Sequence, residues 1–223
     1  MYVKRIRLKS TDFRKRRFNL FISLFLQTGK FLRVLDVGGT RFFWEAIDSE
    51  ELDRLEIVLL NLTDTETIHP RFTSHVGDAC DMAEFQDNEF DVVFSNSVIE
   101  HVGDFKQQRR MAQEIKRVGS GYFLQTPNYY FPFETHFRLP LFHYLPHKLQ
   151  TALLKFDYIG RRYKLHNPEL QTAVELVESV RLLTGKELRE LFSEAIIVNE
   201  KFLGLTKSFM VYSKPMSNNR LHL

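Results

Sequence analysis

The chain has 223 residues, 43% hydrophobic and 26% charged, with a net charge of +3. That is long enough for one well-buried core and too apolar for a disordered chain. A lone cysteine, Cys80, excludes a disulfide framework, argues against a thiolate zinc site and fits a reducing compartment. The longest nearly unbroken apolar run, Phe18 to Leu26, falls far short of the ~20 residues that span a bilayer, and it has no small-residue cleavage site. A cytoplasmic protein is expected. Its charge is uneven: residues 1–33 hold ten Lys/Arg against one acid, Asp12, and the remaining 190 residues hold 21 bases against 27 acids. Residues 1–29 read as a basic arm and helix, and 30–223 as the main domain. Residues 1–17 would bury little and could touch an anionic membrane surface, or be only the solvated face of a helix.

Phe18, Phe21, Ile22 and Phe25 recur at helical spacing and predict a helix over about 13–27, ended by Gly29. Five apolar, strand-like runs follow: Phe31–Val37, Leu55–Leu62, Phe72–Val76, Phe90–Ser95 and Gly121–Gln125. Met111, Ala112, Ile115 and Val118 place a helix at about 104–118, between the fourth and fifth runs. Thr184, with Glu187 three residues on, predicts a capping box opening a helix that runs to about Phe192. Two last strands, about 195–203 and 207–213, are joined too closely for a crossover and must form an antiparallel hairpin. Strands alternating with helices predict an α/β fold, a doubly wound, seven-stranded, mostly parallel sheet covered on both faces. Between about 128 and 168 the alternation breaks in a proline- and aromatic-rich stretch, read as a cap over the carboxyl edge of the sheet.

Such a sheet binds its ligand beyond the carboxyl ends of its strands, at the topological switch point. The first strand runs into Asp36, Gly38 and Gly39, where glycines allow a tight turn and close approach of a ligand. A carboxylate there repels a pyrophosphate but suits an amino group. Arg41, Phe42 and Phe43 exclude the glycine-rich nucleotide loop, and no phosphate-binding loop with a lysine is present.

Taken together, Val34–Thr40 (VLDVGGT), Val76–Ala79 (VGDA), Glu89–Val102 (EFDVVFSNSVIEHV) and Gly121–Asn128 (GYFLQTPN) resemble, in order and spacing, the motifs of class I S-adenosylmethionine-dependent methyltransferases of the small-molecule, type 11-like branch. The resemblance covers roughly residues 30–128. It implies a Rossmann-like fold, S-adenosyl-L-methionine as cofactor, and cofactor contacts from Asp36, Gly38, Gly39, Asp78, Ala79 and Asn96. The second strand usually ends in an acid that holds the ribose; here Asn61 stands there, with Asp64 as rival, and an Asp at 61 would keep or improve ribose affinity. The later glycines of the first motif are replaced by Thr40 and Phe42.

Methyl transfer expels a neutral thioether, so the protein must position the nucleophile and, for a hydroxyl, take its proton. His101, just past the fourth strand, is the candidate base; the alternative is a histidine bonded to a backbone carbonyl. Glu100 reads as its structural neighbour. Tyr130, Glu134 and His136 are candidate substrate contacts from the cap, and Trp44 reads as core. His143 and His147 are four apart, but Pro146 breaks the helix that would align them, so no metal is expected. The expected reaction is methylation of a small-molecule or envelope-precursor acceptor, at oxygen. A nucleic-acid substrate is disfavoured by the acidic body. A nicotinamide-dependent oxidoreductase and a non-catalytic scaffold that kept the fold are the alternatives. The acceptor cannot be read, because a fold carries no substrate.

Overall fold

The computed structural model describes residues 2–26, 30–45, 50–64, 71–134, 136–137, 139–155 and 169–214. Gly29, read as the stop of the first helix, the cap stretch 156–168 and the side chains of residues 1–11 lie outside the described part. Helix α1 spans Tyr2–Phe25 and the sheet opens with β1, Leu32–Val37. A short α2 (Arg41–Glu45) and a 3-10 turn (Glu50–Arg54) lead to β2 (Leu55–Asn61), β3 (Phe72–Val76) and β4 (Val92–Asn96). After a second 3-10 turn, Ile99–His101, come α3 (Phe105–Val118) and β5 (Tyr122–Pro127). The cap contributes a two-residue hairpin, β6 (Phe133–Glu134) with β7 (Leu139–Pro140), then α4 (His147–Leu154) and α5 (Leu170–Glu178). Helix α6 (Gly185–Leu191), β8 (Ile196–Phe202) and β9 (Leu205–Tyr212) are the last elements of the described part.

The seven strands lie in the order β3-β2-β1-β4-β5-β9-β8. β1 pairs in parallel with both β2 and β4, and β9 runs antiparallel to β5 and β8. The order reverses between β1 and β4, so the carboxyl ends of those strands open onto the ligand crevice. Alternation along each strand separates two cores. Leu35, Val37, Leu60 and Leu124 pack with Met111, Ile115 and Val118 of α3 on one face. Val34, Leu59, Phe94 and Phe123 pack with Phe18 and Phe21 of α1 and with Trp44 on the other. Each such side chain contributes roughly 1.5–3 kcal/mol by leaving water, so α1 is fastened to the sheet by its aromatic stripe.

Helix α3 starts where Asp104 accepts from the Gln107 N–H at 2.9 Å. At α6, Thr184 and Glu187 form the expected capping box. The cap has a small core of its own, Phe137, Phe142, Leu154, Ala173 and Val177, so α5 belongs with it.

One expectation about the arm does not hold. Arg17 is 7% exposed, its Nε donates to Glu200 Oε1 at 2.9 Å, and its Nη2 pairs with Glu200 Oε2. Burial works to raise the Glu200 carboxyl, but the guanidinium and the Ser208 hydroxyl outweigh it and hold the carboxyl below its ordinary range. That stabilisation is present above the unfolded carboxylate range and is lost as the pH falls through the depressed folded value. Removing one partner of a buried pair leaves an uncompensated charge, so Arg17→Ala should lower the unfolding free energy by about 3–5 kcal/mol. Urea denaturation checks this; a loss under about 1 kcal/mol, the level of an exposed pair, would show that the bridge is open in solution.

Candidate active site

Two clefts meet at the carboxyl edge over β1 and β4. The first, about 420 Å³, is lined by Asp36, Gly38, Gly39, Asn96 and Gln125, with Phe13, Arg14 and Arg17 of α1 and Lys207 and Ser208 of β9. The second, about 470 Å³, is lined by Gly38, Asn61, Gly77, Asp78, Ala79, Cys80 and His101. Gly38, at φ +70°, lines both. A Cβ at Gly38 would come within 2.6 Å of a Val98 methyl, and one at Gly39 within 1.7 Å of the Asp36 carboxyl. Both glycines are therefore required by close packing, and Gly38 also by its left-handed backbone.

Asp36, near the carboxyl end of β1, is only 1% exposed. Its Oδ2 accepts from Trp44 Nε1 at 2.7 Å, and its Oδ1 is buried without a hydrogen-bond partner among the described residues. Burial pushes the carboxyl up to about 7, against the downward pull of the Trp44 bond. Near neutral pH such a group is partly protonated, and a cation placed beside it favours the ionised form.

Asn61 has a local reason to be an amide. Its Nδ2 donates to the Gly39 carbonyl at 3.0 Å and ties the end of β2 to the β1 turn, leaving Oδ1 for a ligand. A carboxylate cannot donate that bond, so the expectation that Asp at 61 would do as well or better needs correcting. Asp64 is exposed and lines neither cleft. Asp78 accepts from the Cys80 N–H at 2.8 Å and shapes the turn after β3. Asn96 Oδ1 accepts from Arg17 Nη1 at 2.9 Å.

His101 Nδ1 donates to the Ser179 carbonyl at 3.1 Å, the bond of the alternative reading, while the residue still lines the second cleft. Burial and the neighbouring His136 lower its pKa. The two imidazoles meet edge to face at 4.7 Å. Glu134, 2% exposed, accepts from His136 Nδ1 at 2.7 Å and from the Phe137 N–H. Burial acts to lower the His136 pKa, but the Glu134 carboxylate prevails and raises it. Glu100 is fully buried, accepts from Thr126 Oγ1 at 2.9 Å, and is pushed by burial to about 7.

Glu134 also lines a third cavity of about 280 Å³ under the cap, with Tyr129, His143 and Arg181. Tyr130 is 65% exposed and lines none of the three, so the structure does not bring it to the site. His143 Nε2 donates to the Tyr129 carbonyl at 2.7 Å and His147 is exposed.

Sequence reasoning missed Arg14, Arg17, Gln125, Lys207 and Ser208. A signal existed for the first two: stepping back from Phe21 by four and seven residues gives Arg17, which is buried, and Arg14, which is exposed but lines the cleft, on the same side of α1.

The sheet order, with its antiparallel β8–β9 pair, is that of the class I methyltransferase fold. A family profile described as "Methyltransferase domain" matches residues 49–123. Among solved structures, a candidate Zn-dependent alcohol dehydrogenase from Rhodobacter sphaeroides superimposes with a TM-score of 0.53 at 14% identity, over 86% of this chain and 87% of that one. The DszA carbon methyltransferase gives 0.51 at 17% identity, over 90% and 52%. At these identities both are likenesses of fold. Two uncharacterized proteins of Mycobacterium tuberculosis, from strains CDC 1551 and H37Rv, are each 36% identical over 64 residues. That stretch is 28% of this chain and only 22% of each relative. The chain has the class I methyltransferase fold, and within it residues 49–123 carry the match to the methyltransferase domain family. Among the described residues, no helix is long and apolar enough to cross a membrane.

Proposed function

We propose that the protein transfers a methyl group from S-adenosyl-L-methionine to a small-molecule or envelope-precursor acceptor, at oxygen. The observation that carries this reading is the pair of clefts joined at Gly38, with the orphaned Asp36 oxygen in one and Asn61, Asp78 and Ala79 in the other. Gly38 and Gly39 form a cradle that any side chain would fill. Asp36 would take the amino group, Asn61 Oδ1 a ribose hydroxyl, and the Asp78–Ala79 turn the adenine. Asn96 contributes through the Arg17 that it anchors. When bound, the cofactor supplies an electrophilic methyl carbon on sulfur. The chain's own task is to hold the acceptor oxygen in line with that carbon and to receive its proton. His101, on the wall of the second cleft, is the residue placed for that. Glu134 and His136 face it from the cap.

Calorimetry with S-adenosylhomocysteine tests the reading, with micromolar binding as the expected result. Binding of NADH instead would turn the assignment to the oxidoreductase, and binding of neither would leave a scaffold. The basic residues of 1–17 would add a contact with anionic lipid, worth roughly 1 kcal/mol each and screened by salt; Arg17 is withdrawn from it by Glu200. Co-sedimentation with anionic vesicles at low salt should weaken when residues 1–12 are removed. An intact chain that ignores such vesicles would make the arm a solvated helix face.

A further inference from the structure

Beneath the cap, three side chains from two separate segments converge. Glu100 and His101 stand in the 3-10 turn after β4, and His136 follows β6. One donor atom from each lies within 4.8 Å of the other two, and Glu100 Oε1 is 3.9 Å from His136 Nε2.

The donors are oriented as ligands. The His101 Nδ1 bond to the Ser179 carbonyl puts the proton on Nδ1 and leaves Nε2 with its lone pair. His136 Nδ1 is held by Glu134, whose second oxygen accepts from the Phe137 N–H. A carboxylate or carbonyl on the far nitrogen is the support that ligating imidazoles carry. Glu100 gives one oxygen to Thr126, while its Oε1 has no hydrogen-bond partner among the described residues, although the side chain is fully buried. An unpaired buried carboxylate oxygen is costly, and its position beside two oriented imidazoles gives it a purpose.

We propose that Glu100, His101 and His136 bind a divalent transition-metal ion of zinc-like preference, with one coordination position open to the cleft. Two imidazoles and one carboxylate are a known ligand set for ions that keep an open position. Bonds of about 2.0–2.2 Å set tetrahedral ligand atoms about 3.3–3.6 Å apart, so the site contracts on loading. His101 is the exposed member, so packing confines it least. This departs from the expectation of no metal, which weighed only His143 and His147.

The existence of the site does not depend on methyl transfer; only its purpose rests on that reading. With an ion bound, the open position would take an acceptor oxygen and lower its pKa, the proton passing to water in the cleft while His101 holds the ion; without an ion, His101 is the receiver.

The test is titration of chelator-stripped, tag-free protein with Co²⁺ in the absence of any cofactor. One equivalent should give visible absorption bands of a low-symmetry Co²⁺ site and a raised thermal midpoint. Glu100→Gln, which keeps an acceptor for Thr126, His101→Ala and His136→Ala should each weaken binding about 10–100-fold or more. His147→Ala should match the parent protein. No Co²⁺ or Zn²⁺ uptake at micromolar concentration, or binding that survives all three substitutions unchanged, overturns the proposal. S-adenosylhomocysteine calorimetry on the same stripped protein separates the two readings. Cofactor binding without ion uptake removes the metal alone, and ion uptake without cofactor binding removes the methyl-transfer assignment alone.

Discussion

Asp36→Asn should weaken S-adenosylhomocysteine binding about 10- to 100-fold, the loss of one charge-assisted hydrogen bond of about 1.5–3 kcal/mol. The same substitution should flatten the fall in stability with rising pH. Burial raises the Asp36 carboxyl from 3.8 to about 7. Between those values the folded chain keeps a proton that the unfolded chain has lost. The stability from this group is therefore complete below the unfolded value and is lost as the pH rises to about 7, a change on the order of a few kcal/mol. Asn cannot titrate, and it keeps an oxygen for Trp44 Nε1. Asp36→Ala is a harsher test, because it strands that buried indole N–H. Thermal melts at pH 5 and pH 8, paired with calorimetry, check both effects. An Asn variant that binds S-adenosylhomocysteine like the parent removes Asp36 from the cofactor site.

His101→Ala should lower turnover about 10²–10⁴-fold, the usual worth of a positioned proton acceptor, with cofactor affinity nearly unchanged. His101→Gln should restore little, since an amide can orient a hydroxyl but cannot take its proton. Steady-state rates with parallel calorimetry separate the outcomes. Near-normal turnover in the Gln variant reduces His101 to positioning. Lost cofactor affinity in the Ala variant makes the Ser179 bond the residue's main role, because that bond anchors the segment leaving the cap.

The strands were legible because parallel strands buried on both faces leave continuous apolar runs, as in Leu55–Asn61 and Val92–Asn96. Helix α1 was legible only from Phe13 onward, where its apolar stripe begins; Lys- and Arg-rich residues upstream propagate a helix without such a stripe. Asp36, Gly38, Gly39 and Asn61 could be placed because strand ends fix where a turn must be. What joins them could not. The Asn61 bond to Gly39 spans 22 residues, and the Arg17 bond to Glu200 spans 183. The meeting of His101 with His136 depends on how the cap folds back, and no period in the sequence encodes that.

The Arg17–Glu200 bridge has a consequence for the protein as a particle among its neighbours. β8 is an outer strand of the sheet, and an unpaired strand edge invites another chain to extend it. Here the ladder with β9 is broken by a bulge between Glu200 and Lys201. Glu200 turns inward at 6% exposure, and α1 meets it through Arg17. A bent edge strand with an inward, neutralised charge is a poor template for edge-to-edge association. The contact that walls the first cleft therefore also guards this margin of the sheet against aggregation.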